Sequence, residues 1–179
     1  MIRVALILAF FALAAQADSI KDNRGDTAEI NRTIDACLKT QDGSEACIGQ
    51  ATEACRKLEI GAANPIQQLG WCAGAEAQVW QDRMTADFAE LTTLLQDGPT
   101  LKDFRAQQAA WQAYSQNFFP YDRATATFPY RIWGDASLLP LIAVRALQVR
   151  DILLIVQDCF DPNSSIPFEP LCAEIAETS

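Results

Sequence analysis

The sequence predicts an all-α protein, a disulfide-stapled helical bundle of about four to five helices that ends in an irregular tail. Three observations predict it. Apolar residues recur at steps of three and four along most of the chain, and no stretch sustains the period-two alternation of a half-buried strand. Six cysteines, Cys37, Cys47, Cys55, Cys72, Cys159 and Cys172, follow an N-terminal stretch that reads as an export signal. An even count in an exported chain reads as three disulfides. Short breaks rich in Gly, Asp and Pro separate the periodic segments.

The first element, MIRVALILAFFALAAQA, is expected to be a signal peptide over residues 1–17. Arg3 gives the positive start, Val4 to Ala15 the apolar run, and Ala15 and Ala17 the small residues of a cleavage site. A membrane anchor is the alternative, but the run falls short of the roughly 20 apolar residues that span a bilayer. Cleavage after Ala17 takes 17 of 179 residues and leaves 162, enough for one domain with its own core. No cysteine begins that product, so lipidation is not indicated and a periplasmic or secreted protein is expected.

Helical spacing of Ile30, Ile34, Cys37 and Leu38 predicts a helix over 27–39, with Asp26 as its N-cap. Gln41, Asp42 and Gly43 break it. Ser44, Cys47, Ile48, Ala51, Cys55 and Leu58 predict a second helix, which Gly61 to Pro65 ends. A long helix from Pro65 to about Leu95 follows, with Trp80, Met84, Phe88, Leu91 and Leu95 as one buried stripe widened by Val79 and Leu94. Asp97, Gly98 and Pro99 stop it. Thr100 is expected to cap the next helix, whose inner face carries Leu101, Phe104, Gln108, Trp111 and Phe118. Pro120 and Pro129 make FPYDRATATFPYRIWGD an irregular connection. A last helix fits 136–159 through Leu138, Leu141, Ile142, Arg145, Val149, Ile152, Leu153 and Val156, with Pro140 in its first turn. The helical domain is thus expected over 18–160. Residues 161–179 form a tail tied back by Cys172, with prolines at 162, 167 and 170. Of the fifteen pairings open to six cysteines, the shortest separations favour Cys37 with Cys47, Cys55 with Cys72, and Cys159 with Cys172.

Composition narrows the chemistry. The chain has no histidine, which removes Ser-His and Cys-His catalysis and histidine metal sites. No C-x-x-C pair or glycine-rich phosphate loop occurs, and disulfides would consume the thiols. Hence no catalytic, cofactor-binding or metal-ligating residue is expected. Loss of Arg3 with the signal changes the net charge from −9 to −10, and such acidity disfavours nucleic acid and anionic membranes. It favours solubility and would steer a basic partner inward.

Two features have competing readings. Glu76 lies four residues after Cys72 and four before Trp80, on the buried face of its helix. It is a general acid or ligand contact on one reading. On the other, favoured here, it is a core group that pairs with Arg145 or accepts from Gln108 or Trp111. Trp111, Tyr114 and Phe118 form a helix-spaced row that could be a ligand platform, although such rows in bundles are usually core.

WCAGAEAQVWQDRMTADFAEL, 71–91, and FRAQQAAWQAY, 104–114, carry a resemblance to the lysozyme-inhibitor LprI-like N-terminal family of exported, cysteine-rich helical domains. The matching positions are Cys72, Glu76, Trp80, Met84, Phe88 and Leu91, then Arg105, Gln108, Trp111 and Tyr114; AVRAL around Arg145 is a third match. The motif positions are expected in the core. The chain departs from the family pattern at Gln81, Thr85, Ser115 and Gln116. A family cysteine pair is replaced by Phe119 and by Leu138 or Leu139. The resemblance implies the bundle, export, and a non-enzymatic binding protein that blocks a basic protein such as a lysozyme. The expected partner surface is the 120–135 connection, with Asp122 and Asp135, and the tail acids Asp161, Glu169, Glu174 and Glu177. The alternatives are an envelope assembly module without a soluble ligand and a small glycan enzyme using Glu76.

Overall fold

The computed structural model describes residues 27–41, 45–58, 64–95, 98–118, 130–161, 172–173 and 175, with 116–118 and 130–135 in backbone only. The expected signal peptide, Asp26, Phe119, Asp122, Glu169, Glu174 and Glu177 lie outside them. Helix α1, Thr27–Thr40, buries the expected Ile30, Ile34, Cys37 and Leu38. The expected second helix is not continuous. A single 3-10 turn, Glu45–Cys47, is followed by Gly49 at φ 88° and by the short helix α2, Gln50–Cys55. Gly49 takes up a left-handed conformation that other residues adopt only with strain, so the helix is reset there rather than propagated.

Helix α3, Pro65–Leu94, matches the expected long element closely. Asn64 caps it by accepting the Gln67 N–H at 2.9 Å, and Pro65 takes the first turn, where a missing N–H costs nothing. Between residues 70 and 80 the helix is buried over most of its girth: Gly70, Ala73, Ala75 and Ala77 are buried along with Val79 and Trp80. These small residues let neighbouring backbones come close. Further on, Met84 and Leu91 keep the stripe predicted from spacing, while Phe88 is half-buried.

Pro99 itself opens α4, Pro99–Phe118, so the helix starts one residue before the expected Thr100 cap, as suits a residue with no N–H to lose. Helix α5, Tyr130–Asp158, begins six residues before the expected Ala136, directly after Pro129. Pro140 is therefore inside the helix and not in its first turn. Its ring removes one backbone bond, which the packed length of α5 tolerates because Leu138, Leu139, Ala143, Ala146, Leu147 and Val149 bury themselves around it.

Helices α3 and α5 make the dominant contact. They run parallel, since Trp80 and Ala146 line one cleft and Gln157 Nε2 donates to Glu90 Oε1 at 2.6 Å further along. Helix α4 returns against them, touching through side chains such as Leu101, Phe104 and Gln108, with Phe104 stacked on Phe88 at 5.5 Å. Among the described residues there is no strand, and no described helix is long and apolar enough to cross a membrane.

The cysteines pair as Cys37–Cys47, Cys55–Cys72 and Cys159–Cys172. The first two pairs are buried, whereas Cys159 and Cys172 are only half-buried. The third pair draws the tail back, and Ile175 joins the core. Limited reduction of the native protein should thus open Cys159–Cys172 first. Alkylation and mass mapping would check this; equal labelling of all three pairs would show that burial does not protect the other two.

Candidate functional site

Glu76, on the most enclosed stretch of α3, is fully buried, with 0% of its surface exposed. Its carboxylate accepts four hydrogen bonds. Gly49 N–H donates to Oε1 at 2.8 Å and Trp80 Nε1 donates to the same oxygen at 3.1 Å. Thr52 donates to Oε2 twice, from its N–H at 2.6 Å and from Oγ1 at 2.7 Å. Gly49 is the N-cap of α2 and Thr52 is three residues on, so these are the two backbone donors that a capping box satisfies from within a helix. Here a carboxylate from another helix accepts both. The position of an acid at a helix N-terminus is also electrostatically favourable.

The expected partners of Glu76 were Arg145, Gln108 or Trp111, and none of them contacts it. Backbone donors set free by the break at Gly49 take their place. The buried-core reading holds for this residue, with different donors. A general acid must reach its substrate, and this carboxyl group is closed off by Gly49, Thr52 and Trp80.

Arg145 belongs to a separate polar contact where α3, α4 and α5 meet. Its Nε donates to Gln108 Oε1 at 3.1 Å and its Nη1 donates to Gln148 Oε1 at 3.3 Å. Gln108, itself buried, donates onward from Nε2 to Met84 Sδ at 3.6 Å. The guanidinium carbon lies 5.9 Å from the centre of the Phe104 ring, a cation–π distance. Its Nη2 is buried without a partner among the described residues, and burial pushes the Arg145 pKa below its usual range. Neutral amides and a ring thus replace the expected carboxylate.

The other motif positions divide by helix. Trp80 and Met84 are core residues, Phe88 and Trp111 are half-buried, and Arg105 and Tyr114 are exposed, Tyr114 to 52%. The expectation that all of them lie in the core is corrected at Arg105 and Tyr114. Helix α4 buries itself through its first half, and beyond Gln108 its described side chains are half-buried or exposed. The Phe118 side chain lies outside the described residues, so the aromatic row reduces to Trp111 and an outward Tyr114. Of the expected partner surface, Asp161 is exposed at the end of α5. The backbone at Asp135 is helical, which removes 130–135 from the irregular connection that was expected, because α5 continues back to Tyr130. Leu138 and Leu139, where a leucine is expected in place of a cysteine, are both buried.

Sequence reasoning missed Gly49 and Thr52. The available signal was a glycine inside an otherwise helical apolar pattern, which marks a break when a packing reason exists. Among the described residues, no group of three or more acidic or thiol side chains is placed to hold a metal.

These features define a class: a helical bundle with three disulfides, of the kind that forms in an oxidising compartment, whose most buried acid is enclosed by four hydrogen bonds. Comparison of the chain with protein-family models, with curated proteins and with solved structures finds no match.

Proposed function

We propose that this is an exported, non-enzymatic binding protein that occupies a basic partner, with a lysozyme as the partner class suggested by the LprI-like motifs around Glu76 and Trp111. The observation that carries the reading is the acidic surface. Acids on every described helix, among them Glu29, Glu53, Asp82, Asp103 and Asp151, stand exposed, and among the described residues exposed acids outnumber exposed Lys and Arg. The surface thus has the sign of the chain's net charge of −9. A rigid scaffold of that sign favours fast, steered association with a cationic protein. The closure of Glu76 by four donors supports a binding role over the glycan-enzyme alternative.

Titration against several lysozyme types at low ionic strength is expected to give stoichiometric inhibition that weakens as salt is added. Changing Asp161, Glu169, Glu174 and Glu177 to their amides should weaken it further. If no lysozyme type is inhibited at micromolar excess in low salt, the lysozyme reading fails. Capture of an envelope assembly from periplasmic extract would then favour the assembly-module alternative.

A further inference from the structure

A cleft of about 190 Å³ opens where α1, α3 and α5 meet. Leu38, Trp80 and Ala146 supply its apolar wall, and Asp35, Arg83, Asp87 and Arg150 its charges. The volume lies below the roughly 300 Å³ at which pockets begin to hold drug-sized ligands, so an occupant must be small.

The four charges are not equivalent. Arg83 is spent on α1: its Nη2 donates to Asp35 Oδ1 at 2.8 Å and to Asn31 Oδ1 at 2.7 Å, and its Nε donates to Asn31 Oδ1 at 3.1 Å. That network fixes α1 against α3. Asp87 and Arg150 face each other from α3 and α5 and are coupled electrostatically. Among the described residues, however, neither makes a hydrogen bond or an ion pair, with each other or with anything else. The cleft thus holds one anion from α3 and one cation from α5, neither of them held by a hydrogen bond or ion pair among the described residues, beside an apolar surface.

We infer that this cleft binds a small ammonium carboxylate of amino-acid size, with its ammonium on Asp87, its carboxylate on Arg150 and its aliphatic part against Leu38 and Ala146. The inference is independent of the lysozyme reading, which concerns the outer surface.

A second property agrees with it. Burial raises the Asp87 pKa, Glu90 on the same helix adds to the rise, and Arg150 and Arg83 oppose it without cancelling it. Asp35, across the cleft on α1, is occupied by Arg83. A carboxyl group whose folded pKa is raised binds its proton more tightly in the native state. Its contribution to stability is therefore present at low pH and is lost as pH rises through and above the ordinary carboxylate range. At neutral pH Asp87 weakens the fold, the reverse of a structural ion pair, and such a cost is expected where a group is kept for binding.

The test is calorimetric or NMR titration of the full chain at neutral pH with free alanine, lysine and glutamate in one arm and dialanine in the other. Acetate and ethylammonium serve as single-charge controls. Saturable binding is expected in the amino-acid arm, weaker binding of dialanine, whose charges lie further apart, and none of the controls. Asp87→Asn and Arg150→Gln should each weaken binding by roughly tenfold or more, and Arg150→Lys by less. Asp87→Asn should also leave the protein at least as stable at neutral pH, so its loss of binding would not reflect unfolding. Absence of saturable binding at millimolar ligand, binding of acetate as tight as that of alanine, or binding unaffected by both substitutions would overturn the assignment. Tighter binding of dialanine would transfer the site to peptide ends and overturn the size argument.

Discussion

Glu76→Ala should lower the unfolding free energy by about 4 kcal/mol or more, because it leaves several buried donors without an acceptor at roughly 1–3 kcal/mol each. The donors are the Gly49 and Thr52 N–H groups, the Thr52 hydroxyl and Trp80 Nε1. Of these only the hydroxyl can rotate towards another partner. The loss is a large part of the roughly 5–15 kcal/mol that stabilises an ordinary domain. Glu76→Gln should cost about half as much, since its carbonyl oxygen keeps one acceptor while its amide group meets donors. Urea denaturation measures both. A loss below about 1 kcal/mol for the alanine variant would mean that water replaces the carboxylate and that the buried contact is energetically idle. The same pair of variants tests the glycan-enzyme alternative, which requires Glu76→Gln to stay folded and lose turnover.

The substitution also shows where the sequence was legible. Periodicity located α1 and α3 closely because each presents a repeated apolar face: Ile30 and Ile34 in one, Trp80 and Met84 in the other. It could not locate the donors of Glu76, since backbone N–H groups at Gly49 and Thr52 carry no residue signature and lie 27 and 24 positions away. Spacing places Arg145 correctly on an inward face but does not name its partner. Charge complementarity suggested a carboxylate, whereas the packing supplies Gln108, Gln148 and the Phe104 ring. Tyr114 failed for another reason. Apolar residues at helical spacing name a face, but only the neighbouring helices decide how far along that face the burial extends. Helix α5 starts earlier than Pro140 suggests, because a long, well-packed helix absorbs an interior proline, which then need not mark a first turn.

Removing the two buried disulfides together should have a still larger effect. Cys37–Cys47 and Cys55–Cys72 close loops with sequence separations of 10 and 17 residues. Loop-closure entropy assigns each about 3 kcal/mol, or roughly 6 kcal/mol for both. With alanine at all four positions, the segment from Glu45 to Leu58 has only a 3-residue turn and a 6-residue helix of its own. Both are far below the roughly 12–15 residues at which an isolated helix becomes even marginal. What then holds the segment to the core is the set of bonds to Glu76, with Gln68 Nε2 donating to the Arg56 and Leu58 carbonyls at 2.9 and 2.6 Å. The two sets of restraints are therefore coupled. In the background that lacks these two disulfides the segment should detach before the rest of the bundle, seen as early hydrogen exchange at Gly49 and Thr52. Glu76→Ala should then cost much less there than in the oxidised protein, because its donors already reach water. An unchanged cost in both backgrounds would mean that Glu76 holds the segment without help from the disulfides, and that the carboxylate is the primary staple of this corner of the fold.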